Sequence, residues 1–265
     1  MAGEAKTAEF LLTTATVMIG PQAKVMELTP AEHSIGLVKN VQANAETGFT
    51  ELTQGIQAQV VASVNTSNQT RISAEVYEYT ARNLAYGAQL DGTDEAWDPI
   101  TEQYALATAI TTGGTSVALT TGSGADFAPN DYIVLQDLNT PDRVHVGKVA
   151  SVATDTITLA SGYAMPSGAA FPIATTAVFK VRSIKVGSVT KQPVYGMKMV
   201  GLLPETGQPV TLIFPKVKIT KGINLAFQTD NFSNMPFEFT PYALLPSDPF
   251  YGDFGSQKTW QLLRT

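Results

Sequence analysis

The 265-residue chain has no cysteine. That excludes a disulfide framework, thiolate catalysis, cysteine-ligated zinc and iron–sulfur clusters. Histidine is nearly absent. His33 and His145 lie far apart, neither with an H-x-x-x-H partner, so a histidine-based metal site is not expected. Charge is thin as well, at 15% of residues against about a quarter in an ordinary globular chain. No apolar run approaches the ~18–20 residues that cross a bilayer as a helix. The nearest thing to a signal core, Phe10–Ile19, is broken by threonines and preceded by Glu4 and Glu9 instead of a basic segment. It reads as a β-strand. The expectation is synthesis inside the cell and no membrane partner.

Threonine fills the surface instead, 33 residues beside 21 Gly and 15 Pro. Threonine is β-branched, suits a pleated surface and offers water a neutral hydroxyl. With 44% hydrophobic residues the chain can build a packed core, so it reads as folded and mainly β. Acids and bases number twelve and five over residues 1–98, six and four over 99–182, and five and eight over 183–265. A net acidic chain without a basic stripe does not grip phosphates, so a sequence-specific DNA reader is not expected.

Strands are predicted over residues 8–19, Ser34–Gln42 and Gly55–Val64, with a polar loop near 40–54 that holds the isolated Phe49 and Leu52. One helix is predicted from Ser73 to Leu90, with Ser73 as N-cap and Val76, Tyr79, Ala81, Leu84, Ala85 and Ala88 at helical spacing. Its alanine-rich face invites close approach, and Asp91-Gly92 stops it. From about Pro99 the texture changes: residues 99–182 hold thirteen threonines, ten charges and no helical period. Val117-Ala118-Leu119-Thr120-Thr121-Gly122 is echoed forty residues later by Ile157-Thr158-Leu159-Ala160-Ser161-Gly162. Short strands between Gly, Pro and Asn turns predict an inserted small β-barrel or sandwich over 99–182. Residues 1–98 and 183–265 then form one discontinuous domain.

In Pro209–Lys221, Val210, Leu212 and Phe214 are apolar at even positions, whereas Val217 and Ile219 are apolar at odd ones. That phase shift at Pro215 predicts a bulge or bend that reverses the buried face. Met235, Phe237, Phe239 and Pro241 alternate with polar or proline neighbours as a half-buried strand, and Leu244–Phe254 reads as an extended arm.

Motifs that carry chemistry are missing. Leu203-Pro204-Glu205-Thr206-Gly207 matches a sortase signal, but strand-rich chain follows it, so it reads as a turn. Asp91, Asp94, Glu95 and Asp98 lack EF-hand spacing and read as a solvated linker. Gly113-Gly114 and Gly122-x-Gly124 precede neither GK[ST] nor a helix. No catalytic, cofactor-binding or metal-binding residue stands out. The chain is expected not to be an enzyme and to need no cofactor.

Three segments carry a resemblance: Phe214-Pro215-Lys216-Val217-Lys218-Ile219, then Met235-Pro236-Phe237-Glu238-Phe239-Thr240-Pro241-Tyr242, then Asp248-Pro249-Phe250-Tyr251-Gly252-Asp253-Phe254. With Gly222–Asp230 and the order of elements in residues 1–98, they resemble a tail tube (major tail) protein of a long-tailed bacteriophage. The resemblance covers about 1–98 and 183–265 and leaves 99–182 as an extra module. It implies a tail-tube β-sandwich or barrel with one short helix, forming hexameric rings that stack into a hollow tube. The implied partners are other copies of the chain, tape measure and tail-end proteins, and double-stranded phage DNA passing through the lumen without specific binding. The implied place is the tail of the virion, assembled in the host cytoplasm, with the inserted domain on the tube exterior. Phe49 and Leu52 are expected either to make ring-to-ring contacts or to pack a hairpin tip on its own sheet. Phe250, Tyr251 and Phe254 are expected as arm contacts. The alternative is a cell-surface adhesin or pilin-like subunit with a carbohydrate-binding β module, which would need secretion.

Overall fold

Period-two alternation of apolar side chains builds most of this molecule. The computed structural model describes residues 15–54, 58–93, 97, 100–166, 170–187, 192–204, 206–226, 232–255 and 259–264. The chain is mainly β. It divides into two units, Met1–Trp97 with Lys185–Thr265, and Asp98–Ile184. The first unit begins with β1 (Thr16–Pro21), α1 (Pro30–His33), β2 (Val38–Gln54), β3 (Gln59–Val76) and α2 (Ala81–Gly87). The second holds β4 (Gln103–Ala105), β5 (Ser116–Ala118), β6 (Tyr132–Asp137), β7 (Thr140–Ala153), β8 (Thr156–Leu159) and β9 (Thr176–Val181). The first unit then resumes with β10 (Tyr195–Leu202), β11 (Pro209–Lys221), β12 (Met235–Pro241), α3 (Tyr251–Phe254) and β13 (Gln261–Arg264).

In the first unit one antiparallel sheet runs β1-β10-β11-β12-β3-β2, with β13 also on β11. Its main core gathers Val17, Ile72, Met197, Phe214, Phe237 and Phe239. The predicted alternation of β12 is present: Met235, Phe237, Phe239 and Pro241 are buried and the residues between them half-buried. The register between β10 and β11 shifts between Tyr195–Val217 and Met197–Phe214, so β11 carries one extra residue at Pro215-Lys216. This bulge does not turn the strand over. It resets the alternation, so that Leu212 and Phe214 before it and Val217 and Ile219 after it all reach one core. Proline can sit there because the bulge leaves a ladder position open.

Three expectations are corrected. Ser73 does not cap a helix: Ser73–Val76 belong to β3, with Ser73 opposite Glu238 and Glu75 opposite Pro236. Ile72, Ala74 and Val76 enter the core with period two, so the helical spacing spanned the end of a strand and the start of a helix. The helix is α2, capped by Thr80, whose hydroxyl oxygen accepts from the Asn83 N–H at 3.1 Å. Residues 40–54 are not a loop but lie within β2, paired with β3 almost throughout. The strand expected at Ser34 starts at Val38, and Ser34 makes only an isolated bridge to Met18. Of the first predicted strand, residues 8–14 lie outside the described residues.

Helix α2 is held close. A Cβ on Gly222 would lie 2.5 Å from the Gly87 Cα, so the two backbones meet where only glycine fits. Tyr86 and Tyr195 meet edge to face at 5.2 Å. Their hydroxyls donate to the carbonyls of Ile19 (3.3 Å) and Leu90 (2.6 Å).

In the second unit the antiparallel order is β4-β9-β6-β7-β8-β5. Its two ends are joined by the bridge Leu106–Leu119 and by Ala107 N–H to Ala118 O (2.8 Å) and Thr120 N–H to Ala105 O (3.1 Å). The sheet thus closes on itself around Leu106, Val117, Ile133, Leu135, Ile157 and Phe171. The two echoing segments lie side by side, with Val117 opposite Ile157. Their bonds correspond: Leu119 N–H donates to Asp155 O at 2.8 Å, and Leu159 N–H to Thr115 O at 2.7 Å. Each echo ends on a left-handed glycine, Gly122 at φ +88° and Gly162 at +87°.

Burial pushes the Tyr86 and Tyr195 phenols far above their usual range. Burial, with the Asp126 and Glu102 carboxylates nearby, pushes Tyr104 up to about 12. Unfolded phenols ionise near pH 10, by order of magnitude. The stabilisation from these groups is complete below that pH and is lost as pH rises toward the folded values. An alkaline ultraviolet titration should show some of the nine tyrosines ionising only as the protein unfolds. Tyr86→Phe and Tyr195→Phe should each shrink that late fraction; ionisation of every tyrosine in the folded state near pH 10 would contradict it.

Candidate assembly surface

β2 and β3 are much longer than the sheet that holds them, at 17 and 18 residues. β12 pairs β3 only at Ile72–Val76, and β2 ends the sheet order, so its outer edge has no strand partner among the described residues. From Gln42 to Gln69 every described residue except Gly48 is exposed. The distal part is therefore a two-stranded ribbon with both faces open. Polar cross-links support it: the Thr47 hydroxyl donates to Asn68 Oδ1 at 2.9 Å, and the Thr66 hydroxyl to Gly48 O at 3.3 Å. Isolated ribbons of this kind are marginal in water.

The ribbon exposes large apolar side chains on both faces. Phe49 is 60% exposed and Leu52 65%, joined by Val60, Val61 and Val64. Leu52 stands opposite Ala62 and Thr50 opposite Val64, which puts Leu52 and Val64 on one face. Phe49 stands opposite Asn65 and Thr53 opposite Val60, on the other. The register shifts between Gly48 and Phe49 and again between Leu52 and Thr53, so bulges twist the ribbon on either side of these residues. From 42 to 70 its charged residues are Glu46 and Glu51, with no Lys or Arg. The sequence singles out Phe49 and Leu52; the three valines escape notice because they sit in a segment that reads as an ordinary strand.

At the root of the ribbon an apolar groove of about 640 Å³ opens. Val38, Val41 and Ala43 of β2 form one wall, and Met199, Val210 and Leu212 of β10 and β11 the other. Lys39 is its charged lining residue.

The C-terminal segment is not an extended arm. Phe254 is buried with Met18, Val25, Leu28, Ile213 and Leu244, and Phe250 and Tyr251 pack half-buried against that cluster. The Lys216 ammonium meets Asp248 Oδ2 at 2.5 Å, and the Leu245 N–H donates to the same oxygen at 2.6 Å. Farther on, Trp260 stacks on Phe214 at 5.9 Å and β13 pairs with Val210–Ile213. Aromatic residues that looked like reach are core contacts of their own chain, because turns at Leu245–Asp248 and Phe250–Phe254 fold them back.

The remaining candidates are structural. Leu203 and Gly207 close a turn, with Gly207 N–H donating to Leu203 O at 2.8 Å. His145 lies on β7, its Nε2 3.0 Å from Tyr163 O, and His33 ends α1. Asp155 is held below the usual carboxylate range by backbone N–H donors, Gly124 first among them. Asp94, Glu95 and Asp98 lie outside the described residues. Among the described residues no three His, Cys, Asp or Glu side chains group as metal ligands, and no helix is long and apolar enough to cross a membrane. The chain matches no protein-family model and no curated protein.

Burial pushes the Asp248 carboxyl up, but Lys216 and the Leu245 N–H outweigh it and hold the group below the usual carboxylate range. Its stabilisation is therefore complete above pH about 4 and is lost as pH falls below that. Asp248→Asn should cost roughly 1–3 kcal/mol at neutral pH and flatten the acid limb of the stability curve, read by urea unfolding at several pH values. An unchanged acid limb would contradict this role.

Proposed function

We propose that this chain is a structural subunit that forms stacked rings, and that the resulting hollow tube is the tail tube of a long-tailed bacteriophage. The observation that carries the assembly reading is the ribbon. Among the described residues its distal half buries neither face and displays five large apolar side chains, an arrangement that a lone subunit gains nothing by keeping. The free outer edge of β2 supports the same reading, since an unpaired strand edge is a template for another chain. Contacts between unlike surfaces of identical copies close into rings or extend into filaments.

Phe49 and Leu52 serve in this reading as ring-to-ring anchors. The tail-tube assignment itself rests on the resemblance of β11, β12 and the segment that follows them. The net acidic charge of the chain suits a wall past which DNA slides, because on balance it repels phosphates. The second unit closes its own barrel core and decorates the outside of the tube, since a module of that size would obstruct a bore that passes DNA.

Negative-stain microscopy and sedimentation of the concentrated protein should show rings and tubes; monomers at every concentration would end the proposal. Removing residues 47–68 and joining Glu46 to Gln69 through an Asn-Gly turn should leave rings or monomers but no tubes. Replacing residues 99–182 by a short Gly-Ser linker should spare tube formation, and loss of assembly on that excision would contradict the exterior placement.

A further inference from the structure

We infer that the groove at the root of the ribbon is the seat of the chain's own N-terminal segment, with residues 11–14 continuing β1 as a strand between β10 and the outer edge of β2. Those four residues lie outside the described ones, and their point of entry is fixed by the residue that follows them, because Ala15 itself lines the groove. On one side of that path is an open edge of β10. β1 pairs with β10 only as far as Thr16 opposite Val200, whereas β10 runs on through Gly201 to Leu202, still paired with β11. The same register sets Ala15 and Thr14 opposite Gly201 and Leu202.

On the other side is the edge of β2. The chain that leads into β2 touches β1 in antiparallel sense: Met18 bridges Ser34, and the Ile35 N–H donates to Val17 O at 3.1 Å. Backward along β1 and forward into β2 therefore lead the same way. β2 then continues past Val38 with its outer edge unpaired among the described residues. Asn40 and Val41 also lack a partner in β3, whose register with β2 passes from Lys39 directly to Gln42. A strand between these two edges supplies backbone partners to both.

Side-chain parity agrees with that placement. Val17 and Ile19 enter the main core and Ala15 the groove, so period two carries Thr13 and Leu11 to the same face. There Leu11 meets the apolar wall of Val38, Val41 and Ala43. Thr14 and Leu12 fall on the opposite face, where Leu202 is 50% exposed and gains Leu12 as its diagonal neighbour. Chain continuity selects this occupant. Leu11 is four residues from Ala15, about 13 Å of extended chain, and a segment tethered so closely has an effective concentration in the millimolar range, by order of magnitude. A second copy in dilute solution does not reach that. The inserted strand closes the sheet at the root of the ribbon and pins β2 to β10, while beyond Ala43 the outer edge of β2 stays open. The inference therefore holds whether or not the chain stacks.

With no native cysteine, a cysteine pair can be introduced alone. Leu11→Cys combined with Ala43→Cys in the full chain, oxidised in dilute solution, should form a disulfide within one chain. Its yield should exceed by about tenfold that of Leu11→Cys combined with Thr220→Cys, an exposed position at the far end of β11, because proximity sets the effective concentration. Equal yields from the two pairs, or a bond that joins two chains instead of one, would overturn the inference. A protein that begins at Ala15 after an initiator methionine gives a second reading. Its Asn40 and Val41 amides should exchange with solvent about tenfold faster than in the full chain. Unchanged exchange in that truncated protein, still folded, would also overturn the inference; where truncation unfolds the protein, the disulfide yields in the full chain decide.

Discussion

Two hydrogen-bonded strands satisfy one edge of each other and cover neither face, so a ribbon that runs past its sheet must find cover elsewhere or remain marginal. Everything distinctive about the first unit follows from that constraint. The roots of β2 and β3 are secured by Val38, Ile72, Ala74 and Val76 in the main core. Beyond Gln42 the described residues of β2 are exposed, save Gly48. Their side chains are hydroxyls and amides that water accepts, set around a few large apolar groups that it does not. Under the proposed assembly the chain's thin charge belongs to the same pattern, since a surface that lies against copies of itself gains little from charges it would have to desolvate.

The body that holds the ribbon is built for rigidity. One extra residue at Pro215-Lys216 lets β11 serve one core along its whole length. The opposite face of the sheet is closed by the C-terminal segment, with Phe254 buried and Asp248 clasped to Lys216. A firm root matters for a projecting ribbon, because any looseness there is multiplied at the tip. The second unit solves the edge problem differently: Leu106 and Leu119 bridge its two ends, and a closed sheet has no edge to protect.

How much was legible in the sequence depended on whether one face of an element was buried. β12 could be read residue by residue because Phe237 and Phe239 alternate with Glu238 and Thr240. The bulge at Pro215 was legible as a change of parity, although parity alone could not say that both halves share a core. The echo around Val117 and Ile157 was legible as similarity, and only the fold pairs the two segments across the barrel. The β2 half of the distal ribbon reads as a loop because polar residues on both faces erase the alternation on which strand recognition rests, whereas Val60, Val61 and Val64 let the β3 half read as a strand. Ser73 was misread for the opposite reason: Val76 and the alanines after it supply a helical period that starts inside β3. The groove and the Lys216–Asp248 clasp join segments far apart in sequence, so no local pattern announces them. Phe49 and Leu52 stood out as large apolar residues in polar company, and the fold leaves both exposed.

The central claim is that the distal ribbon is completed by another copy of the chain. Amide hydrogen exchange across residues 42–70, followed from dilute to concentrated protein, tests it most directly. Exchange in dilute solution should be fast beyond Gln42 and slow at Ile72–Val76, and the fast amides should become protected together as assemblies form. A ribbon equally protected at every concentration would mean that it is stable by itself, and one still unprotected in the assembled state would mean that no copy covers it. Either result would contradict the claim.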